Sequence, residues 1–178
     1  MAKDLWFISD TNFFHENIIQ YCGRPFKDAQ FMNEYMIQMW NETVKPQDKV
    51  YHLGDVGLGF GGDDEKLMRL LSRLNGHKRL IVGNHDNLKS KALQNNFEKI
   101  ELWYGRKEWD FTCSHIPLNQ RHLRDGWINV HGHLHNNISP EFYHINICVE
   151  HIDYKPIHID EIKKKIKEIA KKHPSINS

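Results

Sequence analysis

Five short fragments of the chain combine residue types that hold metal ions: Asp10-Thr11-Asn12, Gly54-Asp55, Gly83-Asn84-His85-Asp86, Ser114-His115 and His131-Gly132-His133-Leu134-His135. Each follows a short apolar run. Carboxylates suit hard divalent cations, and imidazole suits Mn, Fe, Ni, Co or Zn. The fragments hold no cysteine, which argues against a thiolate structural zinc site. Two ions roughly 3.5–4 Å apart can clamp the attacking and leaving oxygens of an in-line displacement at phosphorus. A carboxylate must then be shared between them, and Asp55, from the middle of the set, is the candidate.

Taken singly, each fragment has an ordinary structural reading. Asp10 would cap a turn, Asp55 would form an Asx turn before a glycine loop, and the Asn-His-Asp stretch would be a turn with a surface histidine. His115 would be a satisfied core or edge histidine, and the last fragment a solvated turn. These readings do not account for the placement of all five after apolar strands. Parallel strands place their C-terminal ends on one sheet edge, where α/β proteins bind ligands.

The elements that must position the fragments follow from the pattern. Leu5–Ser9 is nearly all apolar, as a strand buried on both faces is. His15–Tyr21 forms a short helix broken at Arg24-Pro25. Asp28 caps a helix in which Phe31, Met32, Tyr35, Met36, Met39 and Trp40 recur at helical spacing until Pro46. Lys49–Leu53 is a second strand, and Gly57, Gly59, Gly61 and Gly62 make a flexible loop. A helix over Asp63–Leu74, an Asn75-Gly76 turn and a strand over Arg79–Val82 complete a parallel α/β layer. Strand-like runs at Ile100–Tyr104, Glu108–Cys113, Ile128–Val130 and Phe142–Val149 imply a second, more antiparallel sheet. Ile159–Lys172 is a basic terminal helix with Ile162, Ile166 and Ile169 as its apolar stripe and its lysines in solvent. The fold class is α/β, a two-sheet sandwich flanked by helices, with residues 1–178 as one domain.

Composition narrows the partners. Lys and Arg number 24 against 23 Asp and Glu, unlike a generally basic nucleic-acid binder. A nucleotide substrate stays open, because its phosphates can meet metal instead. The 13 histidines are the compositional oddity. Cys22, Cys113 and Cys148 form no CxxC pair, so free thiols in a reducing compartment are expected. The start lacks a secretory signal and no stretch reaches the roughly 18–20 apolar residues of a membrane span. A cytoplasmic location without a membrane partner is expected.

In order and spacing, the five fragments resemble the calcineurin-like metallophosphoesterases. That pattern is D-x-H, G-D, G-N-H-D/E, a lone His and G-H-x-H, matched here along residues 5–151. FHENIIQYCGRPF and VEHIDYKPIHIDEI look like a small single-domain branch of bacteria and phages. The resemblance implies two divalent ions, Mn first with Fe, Ni, Co or Zn as alternatives. It implies hydrolysis of phosphate esters, phosphodiesters foremost, by a metal-bridging hydroxide without a covalent enzyme intermediate. Asp55 would bridge the ions, Asp10 and His135 would bind the first, and Asn84, His115 and His133 the second. Asn84 and His85 would face the substrate, His85 as a proton or hydrogen-bond donor, with Asp86 orienting His85. The substrate would be a small-molecule or nucleotide phosphoester, nucleic acid entering only as a substrate. A phosphomonoesterase is the nearest alternative, and a catalytically weak binding module a more distant one.

The chain departs from this pattern at Asn12, where the family carries a metal-binding His. Either the substitution was introduced to slow the enzyme, or it is a natural variant whose amide oxygen, or a water, fills the ligand position. An amide is a poorer ligand than imidazole for late transition metals, so a weakly occupied first site and low turnover are expected. His15 is a candidate for a substrate-facing role, with a structural role beside it. Arg24 can offer a bidentate fork to a substrate phosphate or anchor its loop to a carboxylate. His131 is expected to be buried without ligating, His52 a satisfied core histidine and His77 solvated. Phe13, Phe14 and Trp127 either wall the cleft or pack in the core.

Overall fold

A computed structural model describes residues 3–57 and 64–174. The first half runs β1 (Leu5–Ile8), α1 (Glu16–Tyr21), α2 (Ala29–Thr43), β2 (Lys49–His52), α3 (Asp64–Ser72), β3 (His77–Ile81), α4 (Lys91–Asn96) and β4 (Lys99–Glu101). The second half adds β5 (Trp103–Arg106), β6 (Phe111–Ser114), β7 (Ile128–His131), β8 (His144–Asn146), β9 (Ile157–His158) and α5 (Ile159–Lys172). Two sheets result, in the orders β4-β3-β2-β1-β9 and β5-β6-β7-β8. The α/β two-sheet architecture is as expected. The anticipated glycine loop at Gly59, Gly61 and Gly62 lies outside the described residues.

In the first sheet, β1 to β4 pair in parallel and β9 joins β1 antiparallel. The second sheet departs from expectation. Only β5 and β6 pair antiparallel, while β6–β7 and β7–β8 are parallel. The segments between those strands are long enough for crossovers, about a dozen residues each. The apolar run Ile100–Tyr104 is likewise two strands. It breaks at exposed Leu102, and β4 and β5 go to different sheets.

Aromatic packing joins the sheets. The Phe7 ring meets Tyr51, Trp109 and Phe111 at centroid distances of 5.5–5.6 Å. Tyr51 also packs on Tyr104 and Trp109. Such stacked and edge-to-face pairs add to the burial of their large apolar areas. The α2 helix starts where Asp28 Oδ1 accepts the Phe31 N–H at 2.7 Å, the expected cap. Its inner face is Met32, Met36, Ile37 and Trp40, whereas Phe31 and Tyr35 of the expected stripe stay 48% and 37% exposed.

A polar chain ties the loops after β1 and β2 together. The Gly54 N–H donates to His52 Nδ1 at 3.2 Å. His52 Nε2 therefore carries the ring proton and donates to Thr11 Oγ1 at 2.9 Å. Thr11 in turn donates to the Val56 carbonyl at 2.7 Å. His52 is thus the satisfied core histidine expected, held neutral because burial pushes its pKa down to about 3. The unfolded chain takes up this proton below a pH of about 6.5 and the folded chain does not. Stability from the neutral ring is therefore present above that pH and lost progressively as pH falls toward 3. Between pH 7 and 5, urea unfolding should show the advantage of wild type over His52→Gln shrinking by about 2 kcal/mol. A constant gap would mean that the folded ring is protonated.

Candidate metal centre

The strand ends deliver their side chains to one edge by means of an unusual backbone. Asp10, Asn12, Asp55, His133 and His135 all have positive φ, between 48° and 69°. Non-glycine residues pay roughly 1–2 kcal/mol each for this left-handed region, although Asn, Asp and His enter it more readily than most. The loops are knitted by main-chain bonds that hold these conformations. Asp10 N–H donates to Gly54 O and Asn12 N–H to Asp55 O, both at 3.0 Å, and Gly132 N–H donates to His115 O at 2.9 Å.

One cluster centres on His115. Its Nδ1 faces the Leu53 carbonyl at 2.8 Å. A carbonyl only accepts, so Nδ1 carries a proton and Nε2 is turned toward the acceptors around it. Around Nε2 lie Asn84 Oδ1 at 2.9 Å, His133 Nδ1 at 3.2 Å and Asp55 Oδ2 at 3.4 Å. Lone pairs aimed at one another repel unless positive charge sits among them. A ring N–H donated to a backbone carbonyl, with the other nitrogen left free, is how metal-ligating histidines are oriented. Burial lowers the His115 pKa, but Asp55 and Asp10 more than reverse it, and the same field draws a cation. Asp55, though largely desolvated, is held below the usual carboxylate range by the His115 ring and the His85 N–H.

The second cluster centres on Asp10, which is 0% exposed. Its Oδ2 accepts from Ser9 Oγ at 2.5 Å, His133 N–H at 2.9 Å and Cys148 Sγ at 3.2 Å. Its Oδ1 is buried without a hydrogen bond and lies 3.9 Å from His135 Nε2. Burial pushes the Asp10 carboxyl up. An unpaired buried carboxylate oxygen is costly, and a cation at Oδ1 would relieve it. The Asn12 Nδ2 donates to Asp10 O at 3.1 Å, so Oδ1 is the atom of this side chain with ligand chemistry. Carboxylate, imidazole and carboxamide donors together fit hard to borderline divalent ions.

Two expected roles are corrected. Asp86 does not orient His85. Its carboxylate accepts from the backbone N–H groups of Gly83, Asp55 and Val56 at 2.8–3.0 Å, so it positions the main chain of Asp55. Arg24 is not available to a substrate phosphate. Its side chain is buried, with Nη2 2.8 Å from Glu150 Oε1, and it donates to the Thr11 and Asp10 carbonyls at 3.0 and 2.8 Å. The anchoring alternative is the one realised. His15 caps α1, its Nδ1 accepting the Ile18 N–H at 3.3 Å. His85 is exposed, and its backbone N–H donates to Asp55 Oδ1 at 2.9 Å. His131 is buried between Gly132 O and Ser139 Oγ. His77 is exposed and pairs with Glu98. Phe13 is a core residue at 0% exposure.

Sequence reasoning missed Glu150. Its Oε1 lies 3.4 Å from His135 Nδ1 and carries the Arg24 ion pair, so a carboxylate backs the histidine beside Asp10. The signal is its position, directly after the strand-like run Phe142–Val149, where the other fragments also place their carboxylates and imidazoles. Glycine also matters here: a Cβ on Gly132 would overlap Ser9 Oγ and Asp10 Oδ2.

A family model described as calcineurin-like phosphoesterase matches residues 4–176. The chain is 41% identical over 174 residues to an uncharacterised protein of Methanocaldococcus jannaschii, covering 93% of each. It is 26% identical over 204 residues to the Gene 66 protein of Mycobacterium phage D29, covering 94% of this chain and 98% of that one. A crystal structure of a protein of unknown function from Aquifex aeolicus superposes with a TM-score of 0.73 at 30% identity, covering 92% of this chain and 99% of that one.

Two substitutions test the centre. Gly132→Ala should abolish the weaker of two manganese-binding events in calorimetry, the one expected at Asp10, His135 and Asn12, while far-ultraviolet dichroism is kept; an unaltered weaker event would remove Asp10 from the donor set. Glu150→Gln should weaken manganese binding about 10–100-fold, the usual cost of losing a carboxylate behind a ligating histidine. No change in affinity would show that Glu150 serves Arg24 alone.

Proposed function

The chain belongs to the calcineurin-like phosphoesterase family, and from that premise we propose that it hydrolyses phosphodiesters with two divalent ions held at its strand ends. The observation that carries the reading is the convergence of Asn84 Oδ1, Asp55 Oδ2 and His133 Nδ1 on Nε2 of His115. Asn84, His115 and His133 would hold one ion, and Asp10, His135 and Asn12 the other, with Asp55 serving both. Manganese is the first choice, with Fe, Ni, Co or Zn compatible with the same donors. When bound, such ions lower the pKa of water toward neutrality and neutralise charge developing on phosphoryl oxygens.

The chain's own groups do the rest. His85, tied to Asp55 through its main chain and exposed at its ring, can hydrogen-bond a phosphoryl oxygen or protonate the leaving oxygen. Asp86 keeps the Asp55 backbone in place. Glu150 and Arg24 hold the Asp10 loop and the His135 ring. The commitment of Arg24 to Glu150 and two carbonyls favours a diester over a monoester. The ions alone then meet the substrate's charge, and a diester carries one negative charge where a monoester carries up to two.

Manganese-dependent hydrolysis of bis-p-nitrophenyl phosphate, measured for this chain and for Asn12→His together, tests the reading. The His form should turn over at least about 10-fold faster, because a ligand change should cost no less than loss of the groups behind a ligand. Comparable rates would make Asn12 a working or dispensable ligand. If both forms are inert with Mn, Ni, Co and Zn, and leave p-nitrophenyl phosphate untouched, the hydrolase reading falls and a metal-dependent binding module replaces it.

A further inference from the structure

On the second sheet lies a cavity of about 580 Å³. We propose that it is a base-binding subsite for single-stranded nucleic acid, set to present a strand to the metal centre. The proposal rests on the phosphoesterase reading for its purpose and names that enzyme's substrate class.

The lining joins flat aromatic surface to positive charge. Trp103 and Trp127 face the cavity together with Lys107, Arg124 and His122. Trp103 is 65% exposed, an unusual state for so large an apolar side chain. The Trp127 ring lies over Gly105, where an added Cβ would come within 2.8 Å of Cζ3. The Arg124 guanidinium sits 5.0 Å from the Trp127 ring centre. No carboxylate lines the cavity, and neither Lys107 nor Arg124 pairs with one among the described residues. The chain as a whole carries a formal charge of only +1, so this is a local concentration of cations.

Those two features match the two faces of a polynucleotide. Every base offers a π surface that stacks on an aromatic ring, and every linkage offers an anionic phosphate. A purely apolar ligand would leave the cations without a partner, and a free phosphate would leave the tryptophans in water. The place is also right. Trp103 pairs with Ser114 and Gly105 with Thr112 across the β5–β6 ladder. Ser114 precedes His115, so the Trp103 backbone lies within about 10 Å of the backbone of that residue. The loop that brings His122, Arg124 and Trp127 to the cavity begins directly after His115. On this proposal a strand held in the cavity runs on past the Trp103 end of the β5–β6 ladder to the Asn84–His115 cluster, which the exposed His85 flanks.

Fluorescence anisotropy of labelled 12-mers tests this with the full chain in EDTA at low salt, so that binding is read without turnover. Single-stranded DNA, single-stranded RNA and a blunt duplex form the three arms. The expected result is that at least one single strand binds, more weakly as salt rises, and that the duplex binds less well. Trp103→Ala should weaken that binding about tenfold, and the double variant Lys107→Gln, Arg124→Gln should reduce the salt slope by about 1.4, or about 0.7 for each cation removed. Trp103 lies outside the core, so its truncation leaves a folded protein, as a thermal melt would verify. Failure of both single strands to bind, equal binding of the duplex, or an unaltered affinity in Trp103→Ala would each overturn the subsite. The chromogenic assay on wild type and Asn12→His is independent: strands bound while both forms are inert keep the subsite and sink the hydrolase reading, and hydrolysis without strand binding does the reverse.

Discussion

The functional edge depends on the burial of one carboxylate. Asp10 is fully enclosed, and removing an ionised carboxylate from water costs several kcal/mol unless partners compensate. Its partners come from far apart in the chain: Ser9 beside it, the His133 main chain after β7, and Cys148 after β8. The first belongs to one sheet and the others to the second. The Ser9–Cys148 bridge continues the same contact in the backbone. Polar geometry at Asp10 therefore fixes how the two sheets meet at this edge, as the Phe7, Tyr51, Trp109 and Phe111 rings fix it in the interior. The oxygen left over points where a cation is wanted.

A second layer of polar groups holds the first in place. Asp86 gathers three backbone N–H groups around the turn that carries Asp55. Arg24 spans the carbonyls of Asp10 and Thr11 and ends on Glu150, which reaches the His135 ring. Acidic and basic residues near a metal are easily taken for catalytic ones. Here their hydrogen bonds are spent on holding the main chain in the left-handed conformations that the donor residues occupy.

Much of this is legible in the chain of letters. Residue type and order alone place Asp10, Asp55, Asn84, His115, His133 and His135 at strand ends, because an apolar run that stops at a carboxylate or imidazole in a parallel sheet delivers that group to the ligand-binding edge. What stays illegible depends on direction and not on type. Nothing in Ile100–Tyr104 shows that Leu102 is where the chain changes sheets. A crossover and a hairpin both need polar loops, so the parallel pairing of β6, β7 and β8 is hidden. The partner of Asp86 is likewise unreadable, since a carboxylate one residue from His85 can turn to the neighbouring loop. The positive φ angles of five donor residues leave no mark beyond the frequency of Asp, Asn and His themselves. Asn12 belongs to that last group, since it is a residue that enters the left-handed region with little strain.

The pairing of β1 has a consequence for how the protein is made. β1 lies between β2 and the two-residue β9, so one of its edges is closed by the last strand in the chain. Trp6 also rests its ring against His158 of that strand, at 4.8 Å. During translation β1 and β2 can pair as soon as β2 has left the ribosome. The outer edge of β1 then waits, uncovered, while the chain grows from His52 to Ile157. An apolar strand with unpaired N–H and C=O groups is a template for other chains. The shortest strand among the described residues is thus the one that ends its exposure to aggregation, and a nascent chain stalled before Ile157 would carry that hazard permanently.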